Sequence, residues 1–300
     1  MFRFVTPTAS RTGPIRLAIW YGKGGVGKST TTMMLALFAA AQKQRALVID
    51  LDPECGTSRD FLGSRLPAVP TNLKSFLQSP LPAPPPIIPS GIDGVDLVAC
   101  APDEQRFFRL YSEKSTRLRE ALDMLEPAHR WMLMDVPNQF DNIAELGLLA
   151  ADFLLLPVEL TADCVERFPT VLRIIDEAKA LNPNLRVLGA LALASMPRAG
   201  QELRLSAKER LIYREYEAQL GKLGLRLFKT LMFRSATTVE EARSNADARM
   251  LHWTVRRRFY DLLAEILLRC KTAPPSSPPR YAPKHSSKAK QGRTAAPAHA

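Results

Sequence analysis

Along residues 15 to 195, short runs of consecutive apolar residues alternate with longer stretches of helical period. IRLAIWY (15–21), RALVIDLD (45–52), GVDLVAC (94–100), RWMLMDVP (130–137), ADFLLLPV (151–158) and RVLGALALAS (186–195) have strand length and almost no polar alternation. Such runs fit strands covered by other elements on both faces. STTTMMLALFAAAQKQ (29–44), STRLREALDMLEP (115–127) and VERFPTVLRIIDEAKAL (165–181) read as helices, the second stopped by Pro127. A strand, a glycine-rich turn, a helix and a second strand follow one another from residue 15 to residue 52, which is a βαβ unit and implies parallel pairing. The pattern predicts a doubly wound, mainly parallel α/β sheet with helices on both faces and a ligand at the C-terminal ends of the strands. SPLPAPPPIIPSG (79–91) holds too many prolines for a helix or a central strand and reads as a surface connection. TVEEARSNADARML (238–251) and TVRRRFYDLLAEILLRC (254–270) read as closing helices. In the second, Val255, Phe259, Leu262, Leu263, Ile266 and Leu267 share one stripe that packs most simply on the core.

The turn after the first strand carries the chemistry. GKGGVGKS (22–29) satisfies the phosphate-loop pattern G-x-x-x-x-G-K-[ST], in the strand-to-helix context that pattern needs. Glycine allows positive φ and close backbone approach, so successive N–H groups can face one concavity and bind phosphate oxygens. The helix that follows adds its positive dipole end, worth up to ~1 kcal/mol per charge at exposed sites. Gly22, Lys23, Gly24, Gly25, Val26, Gly27, Lys28, Ser29 and Thr30 are the candidate nucleotide-binding residues. Lys28 is placed to bridge β- and γ-phosphates, and Ser29 to put its hydroxyl on Mg²⁺. The general pattern does not call for Lys23.

With that second lysine the segment KGGVGKS (23–29) resembles the deviant Walker A motif of the ParA/MinD group of P-loop ATPases, and is closest to ParA-type partition ATPases. The resemblance continues in order. VIDLDPE (48–54) is similar to the family's second acidic motif, WMLMDVP (131–137) to its Walker B strand, ADFLLLPVEL (151–160) to the next strand, and LFKTLMFRSATTVEEA (227–242) to a late segment. It spans about residues 15 to 265. What it implies is a P-loop NTPase fold, ATP and Mg²⁺ as cofactors, and weak ATP hydrolysis that a partner stimulates. Lys23 would reach across an ATP-bound homodimer to the partner's phosphates, while Lys28 serves its own nucleotide. Asp52 would order the attacking water near Mg²⁺, Asp135 would hold Mg²⁺ through water, and Asp50 would support its strand end. The chain departs from the family at Tyr21, at Glu54 for the usual Gln, at Val136-Pro137-Asn138 for T-P-P, and at Phe233 for a proline that lines the adenine pocket.

Charge narrows the choice of surface that such an ATPase would bind. The formal net charge is +11, concentrated late in the chain: residues 198–258 hold fourteen Lys and Arg against seven Asp and Glu, and residues 271–300 hold six against none. That asymmetry points to a polyanion. Arg198, Arg204, Lys208, Arg210 and Arg214, then Arg243, Arg249, Arg256, Arg257 and Arg258, supply it, and Arg210, Arg214, Arg249 and the Arg256–Arg258 run are the candidate contacts to nonspecific DNA. The fourteen residues before Ile15 are too few for a helix-turn-helix. The expected function is plasmid or chromosome partition with a ParB-like centromere-binding protein. The alternatives are a related positioning ATPase for conjugation, secretion or other polar machinery, or a MinD-like membrane-associated ATPase. An iron–sulfur electron-transfer ATPase would need a cysteine just beyond residue 135, and DVPNQFDNIAEL has none. The four cysteines lie far apart with no C-x-x-C pair, so reduced buried thiols are expected. With no apolar run of spanning length and no signal-like start, the expectation is no stable membrane insertion and a cytoplasmic, nucleoid-associated protein. The domain reading is a flexible arm (1–14), an ATPase domain (15–270) and a disordered basic, proline-rich tail (271–300).

Overall fold

The computed structural model describes residues 13–68, 72–80, 83–100, 107, 116–125, 128–196, 204–234 and 253–272. The expected helix at 238–251, Arg198, Arg243 and Arg249, and nearly all of the arm and tail lie outside them. Among the described residues eight strands are formed: β1 (Ile15–Ile19), β2 (Ala46–Asp50), β3 (Ile88–Ile92), β4 (Val95–Val98), β5 (Trp131–Asp135), β6 (Phe153–Glu159), β7 (Arg186–Ser195) and β8 (Met232–Arg234). They make one sheet in the order β3-β4-β2-β5-β1-β6-β7-β8, parallel throughout except for the β3–β4 pair. The expected doubly wound, mainly parallel sheet is therefore present, and every residue of β1, β2, β5 and β6 is buried.

The helices are α1 (Lys28–Ala41), α2 (Gly56–Leu62), α3 (Leu73–Gln78), α4 (Arg117–Asp123), α5 (Asn142–Ala150), α6 (Ala162–Leu181), α7 (Ala207–Gly221) and α8 (Trp253–Thr272). Parallel crossovers are right-handed, so the connection from β1 to β2 and the connections from β5 towards β8, which run in opposite directions, leave helices on opposite faces. Helix α1 packs on β1, β2 and β5 and against α8, while α4, α5, α6 and α7 pack in series. Phe38 of α1 stacks on Phe259 of α8 at 5.0 Å between centroids and meets Tyr260 edge-on. Phe259, Leu262, Leu263 and Ile266 are buried, and Val255 and Leu267 pack against the core, as the stripe predicted. A fully buried Phe or Leu is worth about 1.5–3 kcal/mol, which commits this helix face to the interior.

Two prolines show how position decides. The surface connection expected at 79–91 ends in strand β3, where Pro89 pairs with Asp96 in an irregular register. A sheet edge tolerates a residue that cannot donate to the ladder. Pro157 stands inside β6, a central strand. Leu155 offers its carbonyl to the Trp20 N–H on the β1 side, so Pro157, two residues on, also faces that side, beyond the last β1 residue paired with β6. The next donor in this parallel ladder, to the Trp20 carbonyl, would be the N–H that Pro157 lacks, so the β1–β6 pairing stops there.

On β7, Gly189 adopts φ +130° at a register shift against β6, and a Cβ there would lie 2.2 Å from the Arg226 carbonyl oxygen. Arg269 of α8 donates to the carbonyls of Leu188 and Leu227, each at 2.7 Å, and pairs with Glu265, also at 2.7 Å. Glu265 in turn accepts the N–H groups of Lys229 and Thr230. Gly189→Ala is expected to lower stability by about 2–4 kcal/mol, measured by urea unfolding. A loss below about 0.5 kcal/mol, within the range of ordinary surface changes, would mean that this corner is not closely packed.

Candidate functional site

Sheet register assembles the site. Ile19, Asp135 and Asp50 stand in one row across β1, β5 and β2, so the turn that leaves β1 emerges beside two strand-end carboxylates. Gly25 and Gly27 take φ of +77° and +83°, in the left-handed region that favours glycine. A Cβ on Gly27 would come 2.6 Å from Leu193 Cδ2 and force that side chain to move, and the left-handed backbone itself disfavours any side chain. Gly27 caps α1 and its carbonyl accepts the Thr31 N–H at 2.9 Å. Gly24 and Gly25 are exposed, Val26 is buried, and Gly22, Ser29 and Thr30 are half-buried.

The two lysines of this turn have opposite surroundings. Lys28 is only 6% exposed. Burial lowers its pKa, and the charges of Asp135 and Asp52 act against that shift. The Lys23 Nζ lies 2.8 Å from Asp163 Oδ2 and 3.5 Å from Glu159 Oε2, both of its own chain, with its side chain 24% exposed. The hydrogen bond to Asp163 raises the Lys23 pKa, and Lys23 with Arg167 holds the exposed Asp163 carboxyl low. Glu159 is also bonded by Arg234.

The three acids differ as sharply. Asp50 is fully buried and accepts the Asp52 N–H (3.1 Å), the Ser58 N–H (2.7 Å) and the Ser58 hydroxyl (2.6 Å). It therefore supports the strand end, as expected. Burial and then the neighbouring Asp135 charge push its pKa well above the usual carboxylate range. Burial likewise pushes Asp135 up to about 6, while Ser29, Thr57 and the Lys28 charge pull it down. Its Oδ2 accepts the Thr57 hydroxyl at 2.7 Å, and its Oδ1 is buried without a hydrogen-bond partner. Asp52 is half-buried in the β2–α2 turn, where one oxygen accepts the Glu54 N–H at 3.0 Å. These residues fit a triphosphate with Mg²⁺: glycines leave a cradle, Lys28 supplies a desolvated cation, and an orphaned carboxylate oxygen faces the same corner.

Contacts that span the sequence were missed. Thr57 lies 78 positions from Asp135, and Asp163 lies well beyond Lys23 in the chain. Asp163 carried a faint signal, being an acid just after the strand that ends at Glu159. Thr57 carried none.

The candidate DNA contacts are spread out. Arg210 and Arg214 are exposed on α7, and Arg210 also donates to the Leu205 carbonyl. Arg257 is exposed, Arg256 is half-buried, and Arg258 is spent on the fold: it donates to the Leu231 carbonyl at 2.7 Å and lies over the Phe233 ring. Helix α7 packs in series with α6, and α8 packs on α1, so the two arginine groups do not share a sheet face. All four cysteines are buried and unpaired by disulfides. Among the described residues no helix is long and apolar enough to cross a membrane.

Comparison with known proteins agrees with this geometry. Residues 16–187 match a family model described as an AAA domain. The chain is 30% identical over 228 residues to the chromosome-partitioning ATPase Soj of Thermus thermophilus, covering 75% of this chain and 83% of that protein. It is 29% identical over 185 residues to the chromosome partitioning protein ParA of Caulobacter vibrioides, covering 59% of this chain and 69% of the relative. A variant of Cyanothece McdA in complex with ATP superposes with a TM-score of 0.69 at 20% identity, over 85% of this chain and 97% of that one, which speaks for the fold. Glycine turn, paired lysines, strand-end acids and relatives agree: the chain belongs to the ParA/MinD family of P-loop ATPases, on the ParA side.

Proposed function

We propose that this protein is an ATPase that dimerises on ATP, binds DNA without sequence preference, and drives plasmid or chromosome partition with a ParB-like centromere-binding partner. The observation that carries this reading is the division between the two lysines of one loop. Lys28 is buried beneath the turn near Asp135 and Asp52, which supports a role on its own nucleotide. Lys23 points instead to the acids at the β6–α6 junction, on the outer side of the loop. In the dimer Lys23 exchanges Asp163 and Glu159 for a phosphate of the partner's nucleotide, so ATP becomes part of the subunit contact. When bound, Mg²⁺ neutralises the charge that builds on the phosphates during transfer. Ser29, Asp52 and Asp135 are the residues to hold it, and Asp52 also orders the attacking water. Hydrolysis is slow until the partner assists.

The surface bound is DNA, because the apolar stripe of α8 is buried and unavailable to a bilayer. Arg210, Arg214, Arg256 and Arg257 are its described contacts, with Arg249 added from outside the described residues. The ATPase domain runs from 15 to 270, with an arm before it and a basic tail after it, and the protein works on the nucleoid in the cytoplasm.

Lys28→Ala is expected to abolish ATP binding. Lys23→Ala should retain it and lose the ATP-dependent dimer, as read by sedimentation with and without ATP. A Lys23→Ala protein that still dimerises on ATP would defeat the assignment. DNA affinity should fall with log salt at a slope of about −0.9 per phosphate neutralised, and a flat response in a filter-binding series would remove DNA as the surface. The buried Asp135 makes a further prediction about pH. Its pKa is higher folded than unfolded, so the folded state holds the extra proton and this group's stabilising effect is lost as pH rises from about 4 to about 6. Without nucleotide or divalent ion, Asp135→Asn should therefore be more stable than the unsubstituted protein at pH 7.5, by up to about 3 kcal/mol in urea unfolding. The gap should close towards pH 4; one that does not change with pH would contradict the burial of the charge.

A further inference from the structure

The first turn of α2 is fastened to two strand ends at once. Ser58 gives its N–H and its hydroxyl to Asp50, and Thr57, the residue before it, gives its hydroxyl to Asp135 Oδ2 at 2.7 Å. Asp50 and Asp135 are register partners on β2 and β5, and both Thr57 and Ser58 are fully buried. A buried hydroxyl is costly unless it is bonded, and Thr57 places its bond on one oxygen of one carboxylate. The other oxygen, Oδ1, is buried with no partner at hydrogen-bond distance, and the Ser29 hydroxyl is the other group that acts on this carboxylate. The terminal torsion of an aspartate is broad, so a carboxylate with no fixed donor could present either oxygen. Thr57, the buried donor at 2.7 Å, restricts that freedom.

The segment that leads into this turn is itself under constraint. Cys55 adopts φ +54°, a left-handed conformation that is unfavourable for a residue with a Cβ, and its N–H bonds the Asp52 carbonyl at 2.8 Å. At Gly56 a Cβ would stand 3.4 Å from Ser29 Oγ. The short stretch from Asp52 to Ser58 therefore touches Asp50, Asp135 and the neighbourhood of Ser29, and the Thr57 and Ser58 bonds fix where it sits.

We infer that Thr57 is a positioning residue for the divalent ion. Its bond to Oδ2 sets the plane of the Asp135 carboxylate and would leave Oδ1 to help hold a divalent ion. This rests on the reading of the site as one for Mg²⁺ and ATP. The test uses the full chain with Thr57→Val and Thr57→Ser, saturating ADP, and Mn²⁺ as the probe, with bound ion followed by electron paramagnetic resonance. Thr57→Val should weaken nucleotide-dependent Mn²⁺ binding by about tenfold or more, as loss of an outer-sphere partner does, while ADP binding in EDTA changes less than about twofold. Thr57→Ser keeps the hydroxyl and should restore Mn²⁺ affinity to within about threefold. If the valine variant does not fold, Thr57→Ala removes the hydroxyl without pressing a methyl group on Asp135 and serves the same comparison. An unchanged Mn²⁺ affinity in the hydroxyl-free variant, or an equal loss in Thr57→Ser, would overturn the inference. An unsubstituted chain with no nucleotide-dependent Mn²⁺ binding would overturn the site reading itself, and the inference with it.

Discussion

The structure depends on burying one ammonium and two carboxylates at the ends of neighbouring strands. Lys28, Asp50 and Asp135 are each under a tenth exposed, in a wall made by β1, β5, β2 and the start of α1. Charges removed from water must be paired, bonded or neutralised, because desolvation outweighs what a single neighbour returns. Here the compensation is deliberately uneven. Asp50 is bonded on both oxygens and belongs to the scaffold. Asp135 is bonded on one oxygen only, and Lys28 is a cation that burial pushes towards losing its proton. A fold that keeps such groups inside its core is one in which a ligand of complementary charge completes the balance.

The same reasoning separates the two lysines, which differ in solvent as much as in position. Lys23 stands where water still reaches, and its two acid partners keep it charged and directed along the outer side of the loop. The Lys23–Asp163 pair reaches solvent, and such pairs are weak, typically below about 1 kcal/mol. A weak hold leaves the side chain able to change partners. Arg234 of β8 also bonds Glu159, so Glu159 has a second cationic partner besides Lys23. Arg167 does the same for Asp163.

What the sequence disclosed and what it withheld divide along physical lines. Strands β1, β2, β5, β6 and β7 were legible because burial on both faces leaves runs of four or more consecutive apolar residues, such as Leu17–Tyr21, Ala46–Ile49 and Trp131–Met134. The phosphate turn was legible because its conformation demands glycine at fixed spacing. Helix α5 left no such mark: NIAELGLLA is buried almost all round and has no polar face to set a period. Strand β3 was obscured by its proline, and β8 has only three residues. Asp50, Asp52 and Asp135 could be placed at strand ends, but the sequence could not say which would be bonded on both sides. That distinction depends on Thr57 and Ser58, and neither hydroxyl has any local reason to be buried. Among the arginines, charge density marked a region without telling Arg257, which is exposed, from Arg258, whose guanidinium is occupied by Leu231 and Phe233.

Tyr21, one of the departures from the family pattern, shows how the loop is braced from below. Its hydroxyl donates to the Cys164 carbonyl at 2.5 Å and lies 3.4 Å from the Tyr216 hydroxyl of α7, all out of contact with water. Burial pushes both phenols far above their usual pKa, so they act only as neutral bonding groups. Cys164 follows Asp163, the partner of Lys23, so the base of the phosphate turn and the acid that holds its outer lysine are joined through one backbone step. Tyr216 also packs edge-on against Phe168 of α6 at 5.6 Å, which fixes α7 to the same support. The helix that displays Arg210 and Arg214 is therefore anchored by its buried side to the base of the nucleotide loop. A rigid packed interior transmits displacement rather than absorbing it, so the loop and the arginine-bearing helix cannot be treated as independent parts.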